Sequence, residues 1–279
     1  ESGQTYEQSY DDLVLSPGAS PVVPPIPGAD RGLVLRTIED LDRMVVEVAS
    51  AREVVVVGGG FIGLEAAENL VTSQRHVTIV ELGDQLLAPL DPEMAQPLQA
   101  HIADSGVAVE LGVSVTAVDE SSVQLSDGRV LPADVVLFSV GVRPDVTLAR
   151  LAGLEVGPLG GIKVDDQMRT SVPHIWAVGD AVEKSDFMAA ESALMPLANI
   201  ANREGRRAAD SIMGHTSSVQ PGQATAIVQA FGMSAATTGW NEKKLRAAGR
   251  DYLAIHTHAT DHAGYYPGAS SLRLKLLVD

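Results

Sequence analysis

Along the chain, short β-branched runs alternate with stretches whose apolar residues recur at helical spacing. Glu53-Val54-Val55-Val56-Val57 has almost no polar face, which predicts a parallel strand covered on both sides. From Leu41 to Ser50, Leu41, Met44, Val45 and Val48 fall on one helical stripe. Phe61 to Val71 repeats the helical pattern through Ile62, Ala66, Ala67 and Leu70, and His76 to Glu81 reads as the next strand. Strand, helix and strand with short connections make a βαβ unit. Asp91-Pro92 predicts a helix start, with Asp91 as N-cap and Pro92 in the first helical position; the helix should run to about Asp104 and stop near Gly106. Pro97 cannot donate to the carbonyl of Glu93, so an irregularity is expected there.

Val113 to Val118, Ser122 to Leu125 and Arg129 to Leu131 are short alternating segments, and Asp127-Gly128 is a hairpin turn signal. They predict a small antiparallel meander inserted in the α/β pattern, after which Val135 to Phe138 returns as a buried strand. Further on, Ile175 to Val178 predicts a short strand, and Leu197 to Met213 a helix ended by Gly214. Ser217 to Gly222 reads as a linker, and Glu242 to Ala248 as a helix among strand-like runs. Tyr10 to Leu15 predicts a strand with no earlier partner; a turn over Ser16 to Pro21 and a stiff connector with four prolines from Pro21 to Pro27 follow it. Leu272 to Val278 is an apolar strand with nothing after it. Both ends are therefore expected to be cut from a longer chain.

Charge changes the picture of partners. Lys and Arg number 20 and Asp and Glu 36, a net charge of −16. Such a surface repels nucleic-acid phosphates and anionic lipid, so neither is expected as a partner. A dinucleotide remains open, because backbone N–H groups at a helix N-terminus hold a pyrophosphate without net positive charge. The chain contains no cysteine, which excludes disulfides, thiolate metal sites and cysteine nucleophiles within it. No apolar run is long enough to span a bilayer and no signal peptide is evident, so a cytoplasmic location is expected.

Gly58-Gly59-Gly60-Phe61-Ile62-Gly63 fits G-x-G-x-x-G, and it stands where that string has meaning: after a strand and opening a helix. Gly58 permits the tight turn, Gly60 lets a pyrophosphate approach the backbone, and Gly63 lets helix and strand pack closely. Glu81 ends the second strand, where an acidic residue bonds a ribose 2′-OH. From Leu82 to Leu90 there is no basic residue and one further acid, Asp84, which predicts NAD(H) over NADP(H). His256, His258 and His262 lie close together, but no further ligand completes a zinc set, so they are expected to be ordinary strand and loop histidines and no metal site is predicted.

Gly58 to Gly63 with Leu64-Glu65 resembles the NAD motif of the pyridine nucleotide-disulfide oxidoreductases. Other pieces match in the family's order. Val140-Gly141-Val142-Arg143-Pro144 resembles the segment leaving the NAD domain. Thr170 to Asp180 resembles the second flavin motif, in which the residue matching Asp180 bonds the ribityl chain of FAD. Ser16-Pro17-Gly18 resembles a turn beside FAD. Leu197-Ala198 begins a helix whose N-terminus, by the resemblance, points at the flavin pyrimidine. The resemblance also puts Gly141 among the cofactor contacts, with Phe61 and Ile62, and Glu65 near nicotinamide and flavin.

The region from Gly239 to Leu245 and the string His262 to Ala269 are similar to the dimerisation domain of the coenzyme A-disulfide reductase and NADH oxidase branch. One of Tyr265 and Tyr266 is similar to a residue that contacts coenzyme A across the dimer; packing at the dimer interface is the other reading. The resemblance implies an α/β fold: a Rossmann-like NAD-binding domain with an antiparallel meander, flanked by parts of an FAD-binding domain and part of an α+β dimerisation domain. The expected divisions are 1–32, the end of a first FAD-binding segment; 33–144, NAD(H) binding; 145–216, a second FAD-binding segment; and 217–279, partial dimerisation domain. It implies FAD and NAD(H) as cofactors and a homodimeric oxidoreductase. NADH reduces FAD, and a cysteine-based centre then reduces a small substrate such as coenzyme A disulfide. The family's first glycine motif and its redox cysteine have no counterpart here, so no residue of this chain is expected to be catalytic and the chain alone is expected to be inactive. An NADH oxidase or peroxidase on the same scaffold, and a non-catalytic NAD-binding and dimerisation module, are the alternatives.

Overall fold

The valine run becomes an inner strand of a four-stranded parallel sheet in the computed structural model, which describes residues 5–215 and 220–279. Part of the expected linker, 217–219, lies outside the described residues. Contacts divide the chain into two units. One comprises the residues up to Ser20 with Val142–Thr225, the other Pro21–Gly141 with Ala226–Asp279.

In the second unit the strands lie in the order Ala108–Leu111, His76–Glu81, Glu53–Val57, Val135–Phe138, all parallel. Side chains alternate along a strand, so the valines divide between two cores. Val54 and Val56 pack with Leu64, Ala67 and Leu70 of the glycine helix, Phe61–Thr72, and with Leu98 and Ile102 of the helix Pro92–Asp104. Val55 and Val57 pack with Val115, Val118, Val123 and Leu125 of the meander. That meander pairs antiparallel through Val115–Val118, Ser122–Leu125 and Val130–Pro132, and it covers the sheet face that the helices leave open. Each fully buried valine is worth about 1.5 kcal/mol or more of transfer free energy.

Several expectations are corrected. The strand Ala108–Leu111 was not anticipated: four residues with Glu110 among them carry no recognisable run, and pairing with His76–Glu81 creates it. The first helix is longer than its apolar stripe, Ile38–Ser50, because Thr37 and Asp40 form a capping box. Of the predicted stripe Met44 and Val48 are buried, whereas Leu41 and Val45 are exposed. The helix Pro92–Asp104 continues through Pro97 without interruption. Asp91 precedes that helix but its side chain makes no capping bond. Its carboxylate instead accepts the backbone N–H of Glu242, at 3.0 Å to Oδ1, and pairs with Lys275 Nζ at 2.8 Å.

Two hairpins complete this unit. Ala226–Ala230 pairs with Met233–Thr237 and buries Val228 and Ala230 in the helix-side core; His101 Nε2 lies 2.8 Å from the carbonyl of Phe231. Leu253–Thr260 pairs with Ser271–Val278 and is exposed along most of its length. Its anchor is Lys275, whose side chain is 6% exposed and whose ammonium is shared by Asp91, Glu93 and Glu242. His256 Nε2 also meets Glu93, at 3.0 Å, while His258 is exposed. The three carboxylates are close enough together to suit a metal ion, but the lysine ammonium holds the position between them.

In the first unit the opening strand Leu13–Leu15 pairs in parallel with Ile175–Ala177, a strand much later in the chain. Ala149 of the unanticipated short helix Thr147–Leu151 packs with Leu154, Ile162, Ile175, Ala177 and Val182. Helix Ala198–Ile212 packs Ala208 against Trp176 and Val178, and Trp176 Nε1 donates to Ser211 Oγ at 3.1 Å. Among the described residues no helix is long and apolar enough to cross a membrane.

The lysine anchor gives the hairpin a measurable dependence on charge. Burial alone would raise the Glu93 pKa, but hydrogen bonds from Lys275 and His256 outweigh it and hold the carboxyl at about 2 against an ordinary 4.5. A depressed carboxyl pKa stabilises the fold above its unfolded value, and this is lost as pH falls through the folded value. Urea unfolding should therefore show stability falling between pH 4.5 and 2 more steeply in wild type than in Glu93→Gln. At neutral pH Lys275→Met strands buried Asp91 and should cost about 3 kcal/mol. Identical acid profiles, or a Lys275→Met loss well below 1 kcal/mol, would contradict this account of the anchor.

Candidate functional site

The glycine loop is shaped by how closely its backbone approaches the rest of the sheet. Gly58 has φ +108°, and a Cβ there would stand 2.5 Å from the carbonyl oxygen of Ser139. A Cβ on Gly63 would stand 2.1 Å from the carbonyl oxygen of Gly58. Glycine is thus required at both points, one for the turn and one for the contact between helix and strand end. The neighbouring strand holds the loop from its far side: Ser139 Oγ lies 3.0 Å from the carbonyls of both Val57 and Gly58. Gly58 N–H donates to Val80 and Leu87 N–H to Gly59, which seats the segment after Glu81 across the loop.

Gly60 differs from its neighbours. A Cβ there would meet no atom within 4 Å, and Gly60 is the N-cap of the glycine helix with no side chain capping that helix. The first N–H groups of a helix carry a partial positive charge and want an acceptor. Open space over an uncapped helix start, next to a close-packed glycine turn, is the shape and charge of an anion cradle. Phe61 and Ile62 form the first turn, Ile62 39% exposed, and Glu65 is exposed one turn further on. Gly141 lies beyond the last parallel strand and accepts the N–H of Val22.

Glu81 stands across this cradle and does more than the sequence suggests. Its Oε2 accepts the N–H of Gly59 and its Oε1 the N–H of Gly83, both at 2.7 Å. The carboxylate therefore ties the glycine loop to the turn after its own strand. A carboxylate has about four acceptor positions, so two remain for ribose hydroxyls. Arg75 is turned away: its guanidinium donates to the carbonyls of Ala51 and Ala49 at the end of the first helix.

The flavin-type motif lies in the other unit. After the strand Ile175–Ala177 the chain makes a single 3-10 turn, Gly179–Ala181, with Gly179 at φ +81°. Asp180 is half-buried in that turn, and its carboxylate accepts no hydrogen bond among the described residues. An acidic group held in a turn with its acceptors unused fits a polyhydroxyl ligand such as a ribityl chain. Leu197 is the extended N-cap of the helix Ala198–Ile212, again with no side-chain cap. Pro17 and Gly18 follow the opening strand, and the carbonyl of Gly18 accepts the N–H of Asp145. The donors in this unit therefore suit part of FAD. Tyr265 and Tyr266 sit in the exposed loop between the last two strands, rings 6.4 Å apart and edge-to-face. Two residues without a motif of their own also belong here: buried Lys184 and Glu204, on either side of the Gly179 peptide groups.

Comparison with known proteins identifies the family of the chain. A family description for pyridine nucleotide-disulphide oxidoreductases matches residues 1–205. An NADH oxidase from Methanocaldococcus jannaschii is 33% identical over the whole chain, and a coenzyme A disulfide reductase from Staphylococcus aureus is 29% identical. The chain spans 64% of the length of each of these curated relatives. The crystal structure of reduced Bacillus anthracis CoADR-RHD superposes on 99% of the chain with a TM-score of 0.96 and 40% identity, using 51% of that protein.

The three motif glycines should respond differently to a methyl group. Gly63→Ala forces backbone apart and should cost about 1–3 kcal/mol in urea unfolding. Gly60→Ala meets no atom and should change stability by no more than about 0.5 kcal/mol. If the open space is a phosphate cradle, Gly60→Ala should still weaken a dinucleotide about tenfold or more by calorimetry, a loss near 1.4 kcal/mol. Unchanged affinity in Gly60→Ala would remove the cradle from consideration.

Proposed function

The chain belongs to the pyridine nucleotide-disulphide oxidoreductases, and from that premise we propose that it carries the NAD(H) site and part of the FAD site of a coenzyme A-disulfide reductase-like flavoenzyme. The observation that carries the reading is the open, uncapped helix start at Gly60 with Glu81 opposite. Backbone N–H groups of that turn hold the pyrophosphate, and the free acceptor positions of Glu81 take the ribose hydroxyls. This arrangement explains how a chain of net charge −16 binds a dinucleotide: the attraction is local and comes from the backbone.

In the other unit, Asp180 holds the ribityl chain, with the turn at Pro17 and Gly18 beside it. The helix start at Leu197 and Ala198 sets a positive dipole end toward the pyrimidine, which favours the anionic reduced ring. When bound, FAD supplies the two-electron chemistry between NADH and a disulfide centre. The residues of this chain bind and orient; none of them reacts. Glu65 lies near the nicotinamide in this reading, and Gly141 borders the same dinucleotide. The proposed domains are 1–32 and 145–216 for FAD, 33–144 for NAD(H), and 217–279 for dimerisation. The exposed Tyr265 and Tyr266 are the candidates for meeting a coenzyme A disulfide in a cytoplasmic homodimer.

An NADH oxidase activity is the second reading. The relative of that name is 33% identical over the whole chain, as near as the disulfide reductase at 29%.

The dinucleotide preference tests the reading at Glu81. A 2′-phosphate would bring negative charge against a carboxylate already fixed by two N–H bonds. Two unit charges about 4 Å apart repel by roughly 4 kcal/mol at an effective dielectric of 20, before salt screening. A third of that is about tenfold in affinity. Calorimetric titration should give tighter binding of NADH than NADPH, and Glu81→Ala should narrow the difference. Equal or tighter binding of NADPH would mean that Glu81 is not at the ribose.

A further inference from the structure

Resting on the flavin assignment above, we propose that Lys184 and Glu204 form a buried clamp on the Gly179 peptide groups, and that this clamp is a positioning device for Asp180. Both side chains are almost fully enclosed, Lys184 at 5% and Glu204 at 1% exposure. Glu204 comes from the helix Ala198–Ile212, and its Oε2 accepts the N–H of Gly179 at 2.7 Å. Lys184 lies after the turn; its Nζ donates to the carbonyl of Gly179 at 2.7 Å and to that of Val182 at 3.3 Å. The two charges face one another at 3.6 Å, Nζ to Oε1. One ion pair thus grips both polar groups of a single glycine whose φ is +81°.

A mere cap on this turn would not need two buried charges. Taking a lysine and a glutamate out of water is costly, and such a pair is often no more stabilising than apolar residues of the same volume. Burial pushes the Lys184 ammonium down and the Glu204 carboxyl up, while their mutual attraction works against both. What the pair supplies is geometry. The residue after the gripped glycine is Asp180, whose half-buried carboxylate accepts no hydrogen bond among the described residues. Fixing the peptide on either side of Gly179 fixes where that carboxylate points. Asp180 lies close enough to Lys184 to favour the lysine's charged form. The clamp joins the flavin turn to the helix whose N-terminus starts at Leu197, so two elements assigned to one cofactor are set by one interaction.

The test uses FAD binding by the whole protein, read by flavin fluorescence, and amide exchange at Gly179 in the flavin-free state. In wild type the Gly179 N–H, bonded to a buried carboxylate, should exchange about tenfold or more slowly than that of Asp180. Lys184→Met and Glu204→Gln should each weaken FAD about tenfold or more and speed Gly179 exchange. The charge-free double variant, K184M with E204Q, avoids a stranded charge and should melt within a few degrees of wild type, yet bind FAD about tenfold more weakly. Asp180→Asn separates the two claims. Loss of FAD affinity in Asp180→Asn with wild-type affinity in the double variant overturns the clamp and leaves the flavin assignment standing. Wild-type affinity in Asp180→Asn overturns the flavin assignment and the clamp's role with it. Gly179 exchanging as fast as Asp180 in wild type overturns the clamp without any substitution.

Discussion

Everything proposed for the dinucleotide depends on one close approach, that of the glycine helix to the end of the central strand. With the Gly58 carbonyl 2.1 Å from the place a Gly63 Cβ would occupy, no other residue type fits at Gly63 without moving backbone. That contact lets the helix start directly at the strand end, so its unpaired N–H groups open onto the space beside Gly60. The valines of Glu53–Val57 supply the force behind it. Their two faces are buried in separate cores, one under the helices and one under the meander, and this fixes the height at which the strand ends.

Charge is handled locally throughout. Glu81 is satisfied by two backbone N–H groups, and Lys275 by three carboxylates that would otherwise repel one another. Lys184 and Glu204 are matched inside the other unit. A surplus of acidic residues is therefore compatible with binding an anionic ligand, because the proposed cradle would offer it peptide N–H groups.

The elements that could be read from the sequence were those whose residues suffice by themselves. The valine run, the glycine motif and the turn at Asp127-Gly128 each state a local geometry that no distant partner has to supply. Ala108–Leu111 could not be read, because a four-residue edge strand exists only through its pairing with His76–Glu81. Thr37 and Asp40 were a legible capping signal that the apolar stripe obscured. Asp91 fitted the pattern of a cap, but Glu242 and Lys275, more than 150 residues away, claim its carboxylate. At the turn Gly179–Ala181, Asp180 stood out because it follows a glycine in a motif. Lys184 and Glu204 carry no motif, and their meeting is a property of the fold alone.

The central claim is that a reduced dinucleotide lies over Gly60 with Glu81 at its ribose. It is tested most directly by titrating NADH into isotope-labelled protein and following backbone amides. The account predicts saturable shifts at Gly59, Gly60, Phe61, Ile62 and Gly83, the N–H groups that line the cradle or bond Glu81. Saturation with those five amides unmoved, or with shifts confined to another part of the chain, would contradict it.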